Sequence, residues 1–251
     1  MIAILSLALI PVVFLLGFIY LKDKVQPEPI ENLIKGLLYG VGSCFVTLGI
    51  VGFFPEFDET SVLGAAMNAF VMAAIPEECS KMLMLWLLVR KMKEFDEPFD
   101  GIVYATCVGL GFAGFENIMY LFQNSEDAFS VGIMRGIFAV PGHFFFAVAM
   151  GYYYAMAHFG SKRLRARNMR LALFVPIMLH GVYDACLMVQ NAAAFGGLMF
   201  VWFVFCIAMF RVGLKRIKAM RTPAIPTMGM PVGTPPPIPS QEKFYQDPPQ
   251  N

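Results

Sequence analysis

The stretch VLGAAMNAFVMAAIPEECSKMLMLWLLV, Val62–Val89, decides the fold. It is apolar at both ends and along most of its length, and its only charged residues are Glu77, Glu78 and Lys81, set near the middle. At 1.5 Å per residue a helix of ~20 apolar residues crosses the ~30 Å hydrocarbon layer of a bilayer. A transmembrane barrel strand is about half as long and alternates apolar with polar. The segment is therefore predicted as a membrane-spanning helix, and its three central charges are what needs explaining.

Working outward, similar runs occupy roughly Ile2–Leu21, Leu33–Phe54, Gly101–Phe122, Ser130–His158, Leu171–Gln190 and Ala193–Phe210. The 251-residue chain is 58% hydrophobic and 15% charged. That leaves too few polar side chains to cover a soluble domain of this length. The expected fold is an all-α polytopic transmembrane bundle of about seven spans, with the lipid bilayer as its surroundings. Met1 to Leu21 has no basic leading region and no small-residue cleavage site, so it reads as the first span and not as a signal peptide. Cys44, Cys79, Cys107, Cys186 and Cys206 all fall in apolar runs and read as buried small hydrophobes. The net charge of +1 says little, because the distribution of charge matters more than the sum; no nucleic-acid partner is expected.

Basic residues orient the bundle. Lys22, Lys24 and Lys35 follow the first span, Arg90, Lys91 and Lys93 the third, and Lys162, Arg163, Arg165, Arg167 and Arg170 the fifth. Arg211, Lys215, Arg216, Lys218 and Arg221 follow the last. The alternate connections, Pro55–Ser61, Gln123–Phe129 and Asn191–Ala192, have no Lys or Arg, and two carry acids instead: Glu56, Asp58 and Glu59, then Glu126 and Asp127. Lys and Arg stay on the cytoplasmic side. The amino terminus is thus expected outside and the carboxyl terminus in the cytoplasm. Two regions follow: a transmembrane unit over residues 1–221, and a tail over 222–251 whose Pro235, Pro236, Pro237 and Pro239 suit extended, unpacked chain.

Inside the predicted spans polar residues are few. Of 19 Lys and Arg and 18 acids, only Lys81, Arg135, Glu77, Glu78, Glu116 and Asp184 fall within a span and away from its ends, joined by His143 and His180. A charge near the bilayer centre costs on the order of 2.5–3.5 kcal/mol on insertion scales, so such groups are expected to meet one another in the bundle interior. Glu77 and Lys81 are spaced i,i+4, as are His180 and Asp184, and each pair shares one helix face. Asn117 adjoins Glu116. Pro76, Pro141 and Pro176 each lie within four residues of a polar position, where a lost backbone donor loosens the helix. Broken backbone at membrane depth is tolerated beside a wet cavity. His158, near a helix end, reads as interfacial.

In order along the chain stand Pro76-Glu77-Glu78-Cys79-Ser80-Lys81, Phe112-x-x-x-Glu116-Asn117, His143 and His180-Gly181-Val182-Tyr183-Asp184, preceded by Glu28-Pro29. This series resembles the PrsW family, grouped with the type II CAAX prenyl endopeptidases. The resemblance implies a bacterial cell-membrane protease that cleaves a membrane-anchored, single-span protein, typically an anti-sigma factor, in a stress response. Glu116 departs from the prenyl endopeptidases, which carry histidine at that point, so their division of roles does not transfer.

The residues suit a protease in which Glu77 takes a proton from the attacking water, beside Glu78 and Lys81. His143 and His180 would stabilise the oxyanion, Asp184 would orient His180, and Glu116 would share the proton. Asn117 and Arg135 would support them. The reading favours this metal-free glutamate chemistry. Its rival is zinc held by Glu77 (or Glu78), Glu116, His143 and His180. A different class, a proton-coupled transporter, also uses chains of Glu, His and Asp.

Overall fold

The computed structural model describes residues 2–23, 26–55, 57–190 and 192–221. Lys24, Glu56, Asn191 and the tail from Thr222 lie outside the described residues. No strand occurs among those described, and seven helical stretches are long and apolar enough to cross a membrane, as expected from the sequence.

The chain runs through α1 (Ile2–Lys22), α2 (Ile30–Val51), α3 (Val62–Met67), α4 (Ile75–Val89), α5 (Pro98–Gln123), α6 (Ala128–Met134), α7 (Val140–His158), α8 (Arg165–Met188) and α9 (Ala192–Arg221). Two predicted spans are interrupted. A π-helical turn, Asn68–Ala74, joins α3 to α4, and a second, Arg135–Ala139, joins α6 to α7. Each turn ends just before the proline of its span, Pro76 or Pro141, which lacks the N–H needed to continue an ordinary ladder. Such π-turns are wider than α-helix and often occur at functional sites. Pro176 lies within α8 without such a turn.

α5 is the central helix. It is buried almost all round from Phe99 to Gly114, as a helix apolar on every face should be. It packs against α1, α2 and α7. Close backbone approach explains how it fits: a methyl group on Gly40 of α2 would stand 2.1 Å from the Val108 carbonyl oxygen, and one on Gly111 of α5 would stand 2.1 Å from that of Leu37. Small residues allow this approach, and dispersion and weak polar contacts hold helices together where lipid removes any hydrophobic drive. The main core gathers Ile102, Val103, Leu110, Phe144, Phe146 and Val148 between α5 and α7.

Several helix limits differ from the sequence expectation: α2 starts at Ile30 and α8 at Arg165, before Leu33 and Leu171, and two others bear on the packing. α9 continues past Phe210 to Arg221, because Gly213, Ile217 and Met220 keep a buried stripe after the apolar run ends and Arg216 lies over the Tyr152 ring at 4.1 Å. α5 starts at Pro98, a favourable first-turn residue, and so takes Asp100 inside a helix. Asp100 Oδ2 accepts from the backbone N–H groups of Asp96 and Glu97 at 2.9 and 2.7 Å.

Asp100 belongs to a second buried polar group at the lysine- and arginine-bearing end, of which only Glu28 stands out in the sequence. Asp23 accepts from the Glu28 N–H at 3.1 Å, and the Tyr104 hydroxyl donates to Glu28. Burial pushes the Asp23 and Glu28 carboxyls above their ordinary range. Burial, then the nearby charges of Asp23, Asp96 and Glu28, push Glu97 up to about 7.

Candidate active site

Four spans bring their polar residues together. Pro76 fixes the start of α4, so Glu77, Glu78 and Lys81 emerge in its first turns just below the π-turn. Lys81 Nζ donates to Glu77 Oε2 at 3.0 Å and to Glu78 Oε1 at 2.9 Å. It also lies 3.2 Å from His143 Nδ1 and 3.8 Å from the centre of the Phe112 ring. α8 brings His180 against the same pair because Gly181, next to it, has no side chain: a methyl there would stand 2.2 Å from Phe70 of the π-turn. His180 Nδ1 is 3.0 Å from Glu78 Oε1 and 3.9 Å from Glu77 Oε2.

The outer nitrogen of each imidazole meets a carboxylate. His180 Nε2 is 3.1 Å from Asp184 Oδ2, one helical turn on. His143 Nε2 is 3.1 Å from Glu116 Oε2. An ammonium can only donate. His143 Nδ1, facing Lys81, therefore holds a lone pair, and its proton sits on Nε2, donated to Glu116. The two rings stand 5.1 Å apart and nearly perpendicular, with Phe146 stacked on His180 at 4.8 Å.

Arg135 secures the far side. From the second π-turn it reaches Glu116 with one guanidinium nitrogen and Asn117 Oδ1 with another at 2.7 Å, while its planar group covers the Tyr120 ring at 3.8 Å. Asn117 in turn donates to the Ala8 carbonyl at 3.3 Å, tying α1 into the network. Every site residue expected from the sequence thus belongs to one connected group.

Glu77, Glu78, His143 and His180 each offer a ligand atom, and these atoms lie within 4.8 Å of one another. Glu78 Oε2 is buried with no hydrogen-bond partner among the described residues. The sequence set took one of Glu77 and Glu78 together with Glu116; here both glutamates converge with the imidazoles, and Glu116 stands behind His143. A cavity of about 470 Å³ opens beside the imidazoles, lined by Glu116, Arg135, His143, His180 and Asp184 on its polar side. Phe138, Tyr183, Met199 and Trp202 form its apolar wall. Sequence reasoning missed that wall. Tyr183 carried one signal, its place one turn after His180, and Trp202 carried none.

Residues 28–210 match the family described as PrsW family intramembrane metalloprotease. The chain belongs to the PrsW family. It is 34% identical over 232 residues to Protease PrsW of Geobacillus kaustophilus, covering 92% of this chain and 98% of the relative. It is 35% identical over 225 residues to Protease PrsW of Oceanobacillus iheyensis, covering 87% and 96%. Against Protease PrsW of Bacillus subtilis it is 32% identical over 223 residues, covering 88% and 97%. No solved structure matches. Membership makes the chain a multi-pass membrane protease with bacterial relatives, and the transporter reading falls away.

Proposed function

We propose that the chain is an endopeptidase that cleaves a single-span, membrane-anchored protein, of the anti-sigma-factor kind, at the Glu77–Glu78–His143–His180 cluster. One observation carries this reading. Each imidazole is held from behind by a carboxylate and turns its other nitrogen towards the Glu77–Glu78–Lys81 group. Outer carboxylates of this sort orient histidine ligands and raise their basicity.

Charge balance supports a metal over the metal-free chemistry favoured by sequence alone. Glu77, Glu78, Glu116 and Asp184 bring four carboxylates, while Lys81 and Arg135 bring two fixed cations. The remaining negative charge in apolar surroundings calls for a divalent cation or for protons on the imidazoles. Glu78, His143 and His180 would hold the metal, and imidazole with carboxylate is a donor set that suits zinc. Bound there, zinc would polarise the scissile carbonyl and acidify a water. Glu77 keeps 10% of its side-chain surface open and Glu78 keeps none. Glu77 is therefore the one of the pair able to take a proton from that water. Arg135 and Asn117 fix Glu116 against His143, and Asp184 fixes His180.

A second reading has its own observation. Lys81 Nζ sits within 3.2 Å of three of the four candidate ligand groups, where it already offsets carboxylate charge without a metal. The two readings part on chelation. For the metal enzyme, a strong chelator removes cleavage of a single-span substrate panel in proteoliposomes, and stoichiometric zinc restores it. Full activity in metal-free protein would establish the glutamate chemistry instead.

The Lys- and Arg-bearing connections support an amino terminus outside and a cytoplasmic tail over residues 222–251, and the depth of Glu116 and Asp184 along their spans supports a site towards the outer half of a bacterial cell membrane.

A further inference from the structure

The apolar wall of the cavity holds two groups that the hydrolytic cluster does not use. Tyr183 and Trp202 meet edge to face with ring centroids 5.3 Å apart, and only 4% and 5% of their surfaces are exposed. Neither the Tyr183 hydroxyl nor Trp202 Nε1 has a hydrogen-bond partner among the described residues. Buried donors are almost always satisfied, and an unmade bond costs the full desolvation of the group. Two such donors side by side in the wall of a site point to a ligand that satisfies them.

Among the described residues one aromatic contact joins the second π-turn to α9 at this wall. Phe138, from the π-helical turn Arg135–Ala139, meets Trp202 of α9 edge to face at 5.1 Å. α9 packs against α7 and α8 through Trp202, Cys206 and Met209, while Phe200, Val201, Phe203 and Val204 are exposed on its other side. Rings from two elements thus meet at the cavity without a hydrogen bond between them. A π-turn inside a helix is also frequent at functional sites.

A helical substrate segment has every carbonyl occupied and cannot be cut until part of it unwinds. Unwinding in a membrane frees backbone carbonyls that must find donors in the protein. We infer that a substrate's transmembrane segment reaches the site through the seam between α9 and the turn Arg135–Ala139, and that Tyr183 and Trp202 donate to its unwound carbonyls. The inference rests on the protease reading and deepens it. The occupant is an apolar segment with a helix-breaking residue, since Gly or Pro lowers the cost of unwinding.

The test uses the full chain in bicelles with Glu77→Gln, so that binding is read without cutting. The probe is a synthetic peptide of about 20 leucine and alanine residues with a central Gly-Pro and lysine ends. In a Trp86→Phe background Trp202 is the remaining indole of the 2 tryptophans, and its emission should shift as the peptide binds. Tyr183→Phe and Trp202→Phe should each weaken binding about two- to tenfold, the range of one hydrogen bond. The unfolding temperature of Tyr183→Phe should stay equal or rise, because an unsatisfied donor has gone. Wild-type affinity in both variants, an unchanged Trp202 emission, or no binding would overturn the inference. Cutting of the same peptide with Glu77 intact is scored separately. Cutting that ignores both substitutions sinks the seam alone, whereas donor-dependent binding without cutting spares the seam and counts against the hydrolytic reading.

Discussion

Gly111→Ala changes no polar atom, yet it should disable the site. The added methyl would begin 2.1 Å from the Leu37 carbonyl oxygen and 2.8 Å from its carbon, both rigid backbone of α2. Contacts below 3.0 Å are not sustained, so the two helices must separate by about 0.9 Å, the difference between 3.0 and 2.1 Å. Glu116 lies five residues further along α5, and Phe112, under Lys81, is the next residue. A shift of about 1 Å at the reacting groups can cost about a hundredfold in rate, and overpacking costs about 1–3 kcal/mol of stability. The assay pairs cleavage in proteoliposomes with thermal unfolding in detergent. Cleavage should fall about a hundredfold while helicity by circular dichroism stays intact and the midpoint drops modestly. Cleavage within twofold of wild type, at an unchanged midpoint, would refute the idea that α2 sets the position of α5 in the site.

Asp184→Asn leaves His180 in place but removes the carboxylate on its outer nitrogen; activity and zinc affinity, measured by competition with a chelator, should fall about 10–100-fold. Stability should also depend on pH through the polar group at the opposite end of the bundle. Glu97 has its folded pKa raised from 4.5 to about 7, so the folded state binds the proton more tightly than the unfolded chain. Its contribution is full below pH 4.5 and is lost as pH rises through 7. The unfolding midpoint should therefore be higher at pH 6 than at pH 8, and Glu97→Gln should flatten that difference.

The spans and the polar cluster were legible in the sequence for one reason: in a membrane, charge is expensive enough that its few intramembrane positions are informative. Glu77, Glu78, Glu116, His143, His180 and Asp184 could be picked out by depth and helix spacing alone, and all of them meet. Spacing within one helix also paired His180 with Asp184. It left Glu77 and Glu78 as alternatives and counted Glu116 with the imidazoles, because which carboxylates converge depends on how α4, α5 and α7 rotate against one another. The π-turns were foreshadowed only by Pro76 and Pro141. α9 outruns its apolar stretch because lysine and arginine continue a helix well beyond the membrane limit. Glu28 stands out in the sequence beside Pro29, but its meeting with Asp23 and Asp100 does not, because acids beside a basic connection look like ordinary surface charge. Trp202 looked like any apolar residue, since its unpartnered N–H is visible only once its neighbours are placed.

The most direct measurement is the rate at which purified chain, reconstituted in proteoliposomes, cuts a single-span substrate before and after Glu77→Gln. The substitution keeps the size of the side chain and a hydrogen-bond acceptor for Lys81, so the fold should survive, while proton abstraction from water should not. A loss of about a hundredfold or more in cutting, the usual weight of a general base, at a near-normal unfolding midpoint is the expected result. Cutting retained within a few fold would contradict a hydrolytic role for the Glu77 cluster.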